Sequence, residues 1–199
     1  MKAIKNIEAE ATAASSGREI ERKYVVKAKE LSQVEVDTIL RNKLKSSILS
    51  DIEGESADYY YDVQNKERAD FLRCRVFADG TAELTYKKKD KLTNLNRLER
   101  NLKCESSREA KEFCQTGHGD PIKKIQKRYT VLFCEDSVVV STYVIEGIDK
   151  VYVEVEAGTV GDVDQTVAKI KTILELIPES RSLFEIYVEP ALSLLRSDL

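Results

Sequence analysis

The chain has 199 residues, of which 42% are hydrophobic and 34% are charged, so it can build the core of one domain while remaining unusually rich in charge. Its formal net charge is only -3, which excludes a global basic field of the kind that attracts duplex nucleic acid. No apolar run approaches the roughly 18–20 residues of a membrane-spanning helix. We therefore expect neither duplex nucleic acid nor a membrane as a partner.

The four cysteines and the single histidine lack the spacing of a zinc site, because no Cys-x-x-Cys pair occurs. Such cysteines are typical of reduced thiols in the cytoplasm. Residues 1–17 are rich in Ala, Ser, Glu and Lys and contain no apolar segment of the kind that secretory signals carry. We expect a flexible leader over residues 1–17, a single domain over residues 18–199 and a cytoplasmic location.

The first predicted strand covers residues 18–26, where charged and apolar side chains alternate. A strand sends alternate side chains to opposite faces, so Glu19, Glu21 and Lys23 share one face. Residues 28–47 then carry apolar side chains at helical spacing. Two carboxylates and an ammonium therefore point the same way on the strand that opens the domain.

Four segments with alternating or β-branched and aromatic side chains follow that helix. They predict strands over residues 58–63, 70–78, 81–89 and 96–103. An Asp-Gly pair between the second and third of these segments predicts a hairpin turn. Arginines and lysines recur on one face of this group.

The second half of the chain continues with a short helix predicted over residues 106–115. Three further strands are predicted over residues 122–133, 137–145 and 150–157. Residues 163–177 return to a helical spacing, which a proline ends, and two short helices are expected to finish the chain. In the last strand, two glutamates occupy one face and three valines the other.

Eight strands accompanied by several helices predict an α+β fold. We expect an eight-stranded antiparallel closed β-barrel, a tunnel with the helices packed outside. A barrel of eight strands has room inside for side chains or for one small ligand. The repeated charged face predicts that this interior is crowded with charge.

If all strands share one inward parity, the interior carries both signs of charge. The basic set is then Lys23, Arg73, Arg75, Lys87, Arg97, Lys124 and Arg128. The acidic set is Glu19, Glu21, Glu99, Glu154 and Glu156. Buried charges need partners, and arginine and lysine suit phosphate oxygens, whereas carboxylates suit hard cations such as Mg²⁺ or Mn²⁺. The pattern predicts a site for metal and a phosphorylated anion.

Six short motifs on these strands carry a family resemblance. Glu19-x-Glu21-x-Lys23 resembles the ExExK signature of the CYTH domain, also called the triphosphate tunnel metalloenzyme superfamily. The others, in chain order, are Tyr60-Tyr61-Asp62 for YYD, Leu72-Arg-Cys-Arg75 for LRxR, Leu84-Thr-Tyr-Lys87 for LTxK, Arg97-x-Glu99 for RxE, and Glu154-x-Glu156 for the closing ExE.

The resemblance implies an eight-stranded antiparallel tunnel that acts on a triphosphate with Mg²⁺ or Mn²⁺. Members include inorganic, thiamine and RNA triphosphatases and class IV adenylate cyclases. Carried over by position, the metal ligands are Glu19, Glu21, Glu154 and Glu156, and the phosphate ligands are Lys23, Arg73, Arg75, Lys87, Arg97 and Arg128. One of the terminal glutamates or Glu99 is the candidate that activates the attacking water.

Two positions depart from the family pattern. Asn101 stands where many members carry a third acidic residue after RxE, and Gln126 stands where the lysine of a sixth-strand KxR is expected. Either Lys124 reaches inward from one step earlier on the same face, or Lys127 does so through a bulge. The expected function is hydrolysis of tripolyphosphate, a nucleoside triphosphate or thiamine triphosphate. The alternatives are a class IV-type adenylate cyclase and a non-catalytic module that binds polyphosphate or a nucleotide.

Overall fold

The computed structural model of the chain describes residues 20–27, 31–63, 71–89 and 97–197. Within these ranges the fold is α+β, with antiparallel strands and four α-helices. The strands are β1 (Ile20–Val26), β2 (Ile48–Asp62), β3 (Phe71–Phe77), β4 (Ala82–Lys89), β5 (Arg97–Cys104), β6 (Lys123–Cys134), β7 (Val139–Ile145), β8 (Val151–Ala157) and β9 (Leu176–Pro178). The helices are α1 (Gln33–Leu44), α2 (Ser107–His118), α3 (Val160–Lys171) and α4 (Glu189–Ser197), the last preceded by a π-helical turn (Phe184–Val188).

The expectation of a closed eight-stranded barrel is wrong for the described residues. Nine strands hydrogen-bond in the order β5-β4-β3-β2-β6-β7-β8-β1-β9, and this order has two ends. The added strand, β9, pairs with β1 from Tyr24 to Val26, while β8 occupies the opposite edge of β1. Because a strand has only two hydrogen-bonding edges, this stretch of β1 has none left with which to close the sheet.

The strand β9 also corrects the helix predicted over residues 163–177. Helix α3 begins at Val160, after Thr159 caps its first turn by accepting a hydrogen bond from the Asp162 backbone N–H, and ends at Lys171. The final apolar residues of the predicted helix instead lie in β9. None of the helices among the described residues has the length and apolar content that a membrane crossing requires.

The chain divides into two compact units. Among the described residues, the first contains 56–63, 71–89, 97–125 and 181–197, and the second contains 20–27, 31–55 and 126–180. Strands β2 and β6 have residues in both units. The prediction of a single domain over residues 18–199 stays a prediction.

The hydrophobic core of the second unit determines which face of its strands carries the charged side chains. Helix α1 starts at a capping box in which Ser32 and Glu35 exchange hydrogen bonds, and Val36 and Leu40 on its buried side are fully enclosed. They share a hydrophobic cluster with alternate residues of the strands, among them Val153 in β8. The residues between those apolar positions must therefore lie on the other face of the strands.

The first unit repeats this arrangement around a different core. Leu72 and Cys74 of β3 and Leu84 of β4 are almost fully buried and cluster with Ala110 and Cys114 of α2. The alternation predicted for β3 and β4 is thus confirmed, since the arginines of β3 occupy the positions between these buried residues. In each unit an α-helix covers the apolar face and charged side chains lie on the other face. In the first unit that other face also carries Phe71, whose ring stacks on Phe184.

Candidate functional site

The charged face of the second unit is built by β1 and β8, which run antiparallel. Their register places Glu21 directly opposite Glu156, and Lys23 directly opposite Glu154. Directly opposite residues in an antiparallel pair point to the same face. The valines that alternate with the two glutamates of β8 lie in the core, as the sequence predicts. Three carboxylates and one ammonium thus share a small area.

Lys23 lies between two of these carboxylates. Its Nζ atom is 3.3 Å from Oε1 of Glu154 and 3.8 Å from Oε1 of Glu21. The Lys23 side chain is only 6% exposed, whereas Glu154 and Glu21 are 18% and 26% exposed. A buried ammonium is tolerated only when it is paired, so these contacts account for a charged lysine at this depth.

Tyr143 of β7 completes this group, although none of the six sequence motifs includes it. Its hydroxyl donates a 2.8 Å hydrogen bond to Oε1 of Glu154, and its ring stacks on Tyr152 with 5.0 Å between centroids. Burial, followed by the negative charge of Glu154, raises the pKa of Tyr143 well above its ordinary value, so the phenol remains a donor. Alternation along β7 was the available signal, because Tyr143 occupies the same face as Glu154.

The parity assumed for β6 is wrong in the second unit. Arg128 pairs with Val144 in the register of β6 and β7, and its Nε donates a 3.1 Å hydrogen bond to Oε1 of Gln33 at the start of α1. This is the helix-covered face. Lys127 is buried on the opposite face, where its Nζ lies 5.1 Å from the ring centroid of Tyr143. Seven consecutive pairs run from Lys127 to Phe133, so no bulge is needed to place it there.

Lys124, at the start of β6 in the first unit, also lies on the helix-covered face and not on the predicted one. Lys124 is exposed, and its Nζ lies 5.9 Å from the ring centroid of Tyr59, near Lys111 of α2. Tyr59 packs against the apolar cluster of that unit, on the face opposite the arginines of β3. The predicted phosphate-binding role of Lys124 and Arg128 remains untested, but neither residue lies on the predicted face.

In the first unit, Arg75 forms a two-bond ion pair with a residue outside the predicted site. Its Nε and Nη2 donate to the two carboxylate oxygens of Asp58 at 2.7 and 3.0 Å, and Asp58 is fully buried. Burial acts to lower the pKa of Arg75, but the charge and hydrogen bonds of Asp58 outweigh it and raise that pKa above its ordinary value. Asp58 alternates with Tyr60 and Asp62 along β2, which was the signal that could have identified it.

Arg73 is the second arginine of this face. Its Nη2 donates to Thr85 Oγ1 at 2.9 Å and lies 3.4 Å from Oε1 of Glu83. The Nε of Arg73 is buried without a hydrogen-bond partner among the described residues. A buried donor of this kind costs free energy until an acceptor reaches it, and a phosphate oxygen would be such an acceptor.

Strands β4 and β5 place the remaining predicted residues by register. Lys87 is opposite Glu99, and Thr85 is opposite Asn101. Lys87 lies on the same face of β4 as Thr85, two residues away. Glu19 lies outside the described residues, as do the side chains of Arg97 and Glu99.

The donor chemistry of the second unit fits a hard divalent cation. Carboxylate oxygens are the ligands that Mg²⁺ and Mn²⁺ prefer, and Mg²⁺ commonly takes one or two carboxylates together with water and substrate phosphates. In the part of the chain that the structure describes, no three Asp, Glu, His or Cys side chains are grouped as a complete metal site.

A family model described as the CYTH domain matches residues 17–184, which is most of the chain. The chain belongs to the CYTH domain family. Among curated proteins, a search finds no match to it. The family assignment confirms the resemblance carried by the six motifs.

Solved structures show the same fold for this CYTH domain. A candidate adenylate cyclase from Vibrio parahaemolyticus has a TM-score of 0.62 at 16% identity, covering 86% of this chain and 98% of that one. A candidate adenylyl cyclase from Hippeastrum, described as having a dominant triphosphatase activity, has a TM-score of 0.61 at 13% identity, with 85% and 94% covered. A Pyrococcus horikoshii protein has a TM-score of 0.61 at 15% identity, with 84% and 98% covered.

Strand β6 of this CYTH domain carries the departure from the KxR pattern. Lys127 and Tyr129 occupy the face of Tyr143, since Tyr129 pairs directly with Tyr143. Lys127 is therefore the cation of the sixth strand that shares this face, with the half-buried Tyr129 two residues away. The role of Lys127 as the lysine of a KxR pattern stays a prediction.

Proposed function

We propose that this CYTH domain is a metal-dependent triphosphatase. The substrate would be inorganic tripolyphosphate, a nucleoside triphosphate or thiamine triphosphate, and the metal would be Mg²⁺ or Mn²⁺. The observation that carries the proposal is the direct opposition of Glu21 and Glu156, with Glu154 two residues away on the same face. Like charges opposed across a strand pair destabilise a sheet, so their presence favours a role in binding a cation.

The chemistry assigned to these residues follows from charge. Glu21, Glu154 and Glu156, together with Glu19, would hold the metal, which when bound would neutralise phosphate charge and help position water for attack on the terminal phosphorus. One of these glutamates or Glu99 would accept the proton of that water.

The cations on the charged faces would bind phosphate oxygens and stabilise the charge that develops during phosphoryl transfer. In the second unit these cations are Lys23 and Lys127. In the first unit they are Arg73, Arg75 and Lys87, with Arg97 assigned by resemblance. The pairing of Arg75 with Asp58 uses Nε and Nη2, so the pair holds the guanidinium in place and leaves Nη1 outside it.

The direct test is release of inorganic phosphate from tripolyphosphate, ATP and thiamine triphosphate, with Mg²⁺, with Mn²⁺ and with EDTA. We expect at least one substrate to be hydrolysed with a metal and none with EDTA. Glu21→Gln keeps the size of the side chain but removes a metal-binding charge, so it should lower kcat by at least about 100-fold. Glu175→Gln, which removes the exposed partner of Lys27, is the matched control and should keep wild-type activity.

Absence of hydrolysis with either metal would refute the triphosphatase. An adenylate cyclase is the second candidate, because two similar structures come from proteins described as candidate cyclases. Cyclic AMP formed from ATP would identify that activity. Binding of tripolyphosphate without turnover or cyclisation would instead favour the non-catalytic module.

A cytoplasmic location is part of the proposal and is supported by the four cysteines, which are all free thiols.

A further inference from the structure

We infer that Lys23 is an internal counter-ion that competes with the metal for Glu21 and Glu154. This inference rests on the proposed function, because it concerns the same carboxylates. Before a substrate binds, the ammonium of Lys23 occupies the place between the two glutamates. The protein would then bind a divalent cation weakly by itself and more tightly once Lys23 has moved to another anion.

The geometry supports this role. The ammonium of Lys23 lies 3.3 Å from Glu154 and 3.8 Å from Glu21, on the same atom of Glu154 that accepts the hydrogen bond from Tyr143. Glu156 lies directly opposite Glu21, so a third carboxylate shares this face. Lys127 is farther from Glu154, because its Nζ lies over the ring of Tyr143. Electrostatic interactions are strong where water is mostly excluded. The ammonium of Lys23 therefore neutralises much of the carboxylate charge that would otherwise attract a metal ion.

A divalent ion that approached Glu21 or Glu154 would be repelled by this ammonium. The repulsion between a double and a single positive charge a few ångströms apart is worth on the order of tenfold in affinity, even with strong screening. A phosphate anion that attracted Lys23 would remove that repulsion. By linkage, the metal would raise the affinity for the anion by the same factor.

The test is the affinity of the protein for Mn²⁺ alone, measured by electron paramagnetic resonance of free Mn²⁺ without any phosphate present. Lys23→Met removes the ammonium while keeping a long side chain, and we expect it to bind Mn²⁺ about tenfold more tightly than the wild type. Lys23→Arg keeps the charge and should bind no more tightly than the wild type. Arg22→Met removes the neighbouring cation on the helix-covered face, which pairs with Asp164, and should leave the affinity unchanged.

Equal or weaker Mn²⁺ binding by folded Lys23→Met would overturn the inference. Because this change leaves two carboxylates without their counter-ion, Lys23→Gln, whose amide can still donate hydrogen bonds, provides a second neutral variant with the same expected result. The melting temperature with Mn²⁺ and with EDTA adds an independent measurement. Mn²⁺ should raise the melting temperature of both neutral variants by more than it raises that of the wild type. If neither wild type nor any variant binds Mn²⁺, the proposed metal site itself fails; if the wild type binds and the neutral variants bind no better, only the role of Lys23 fails.

Discussion

The buried carboxylate of Asp58 limits how Arg75 can bind a phosphate, because the two side chains form an ion pair. Arg75 was selected as a phosphate ligand, but in the folded chain its guanidinium also neutralises Asp58, which has no exposure to water. The sequence predicts the face of Arg75 from alternation alone. It does not predict this partner, because Asp58 is on a different strand and the pair depends on the register of β2 against β3.

Arg75→Ala should therefore lower stability as well as any affinity for phosphate. Removing one member of a buried ion pair leaves the other charge uncompensated, at a cost of about 3–5 kcal/mol. The free energy of unfolding in urea measures this cost. Arg108→Ala is the control, because its pair with Glu112 is exposed on α2 and screened by water, so the unfolding midpoint should not change. A wild-type midpoint for Arg75→Ala would contradict the assigned pairing.

At the scale of elements, β6 is the strand whose orientation the sequence left open. Both of its faces carry apolar side chains, since Ile125 and Leu132 are buried although they have opposite parity. Alternation therefore could not say which residues face the carboxylates. The structure decides in favour of Lys127 and Tyr129, and the ring of Tyr129 lies against β2 at Gly54.

Gly54→Ala tests that close approach of β2 and β6. A Cβ atom at residue 54 would lie 2.8 Å from the hydroxyl oxygen of Tyr129, so the tyrosine or the strand must move. We expect this overlap to cost up to about 1–3 kcal/mol in the free energy of unfolding, offset in part by the roughly 0.4–1 kcal/mol that alanine contributes by restricting the unfolded chain.

Gly117→Ala is the matched control for that substitution. Gly117 lies in α2, and an added Cβ would meet nothing within 4 Å. Alanine restricts the unfolded chain, so this change should stabilise the protein by about 0.4–1 kcal/mol. Urea denaturation of both variants gives the comparison, and equal midpoints for the two would show that Tyr129 does not lie over Gly54.

For the molecule as a whole, buried tyrosines link stability to alkaline pH. Burial raises the pKa of Tyr24, Tyr61 and Tyr143 in the folded state, and Glu154 adds to the effect at Tyr143. In the unfolded chain these groups ionise near their ordinary pKa of about 10. The unfolded state therefore loses protons first as pH rises, and the folded state loses relative stability above about pH 10.

We expect the free energy of unfolding to be constant with respect to these groups below about pH 9 and to fall above about pH 10. Each such tyrosine would contribute up to about 1.4 kcal/mol per pH unit. Urea denaturation at a series of alkaline pH values measures how steeply the free energy of unfolding falls with pH. Tyr143→Phe should make this slope shallower by the contribution of one tyrosine. If all nine tyrosines ionised near pH 10 in the folded protein, as followed by phenolate absorbance, the prediction would be wrong.

The sequence by itself determined the family, the α+β class and the charged faces of β1, β3, β4 and β8. These features depend on local alternation, because the order of apolar and charged residues within one strand shows which of its faces is apolar. Glu21, Lys23, Glu154 and Glu156 were found in this way, and the register of β1 against β8 brings them together.

Only the tertiary structure decided the partner of Arg75, the inward face of β6, the added strand β9 and the position of Lys23 between Glu21 and Glu154. Each of these depends on contacts between segments far apart in the chain. A buried charge takes its partner from whichever strand lies beside it, and a strand edge is occupied by whichever segment reaches it. No pattern within a single segment contains that information.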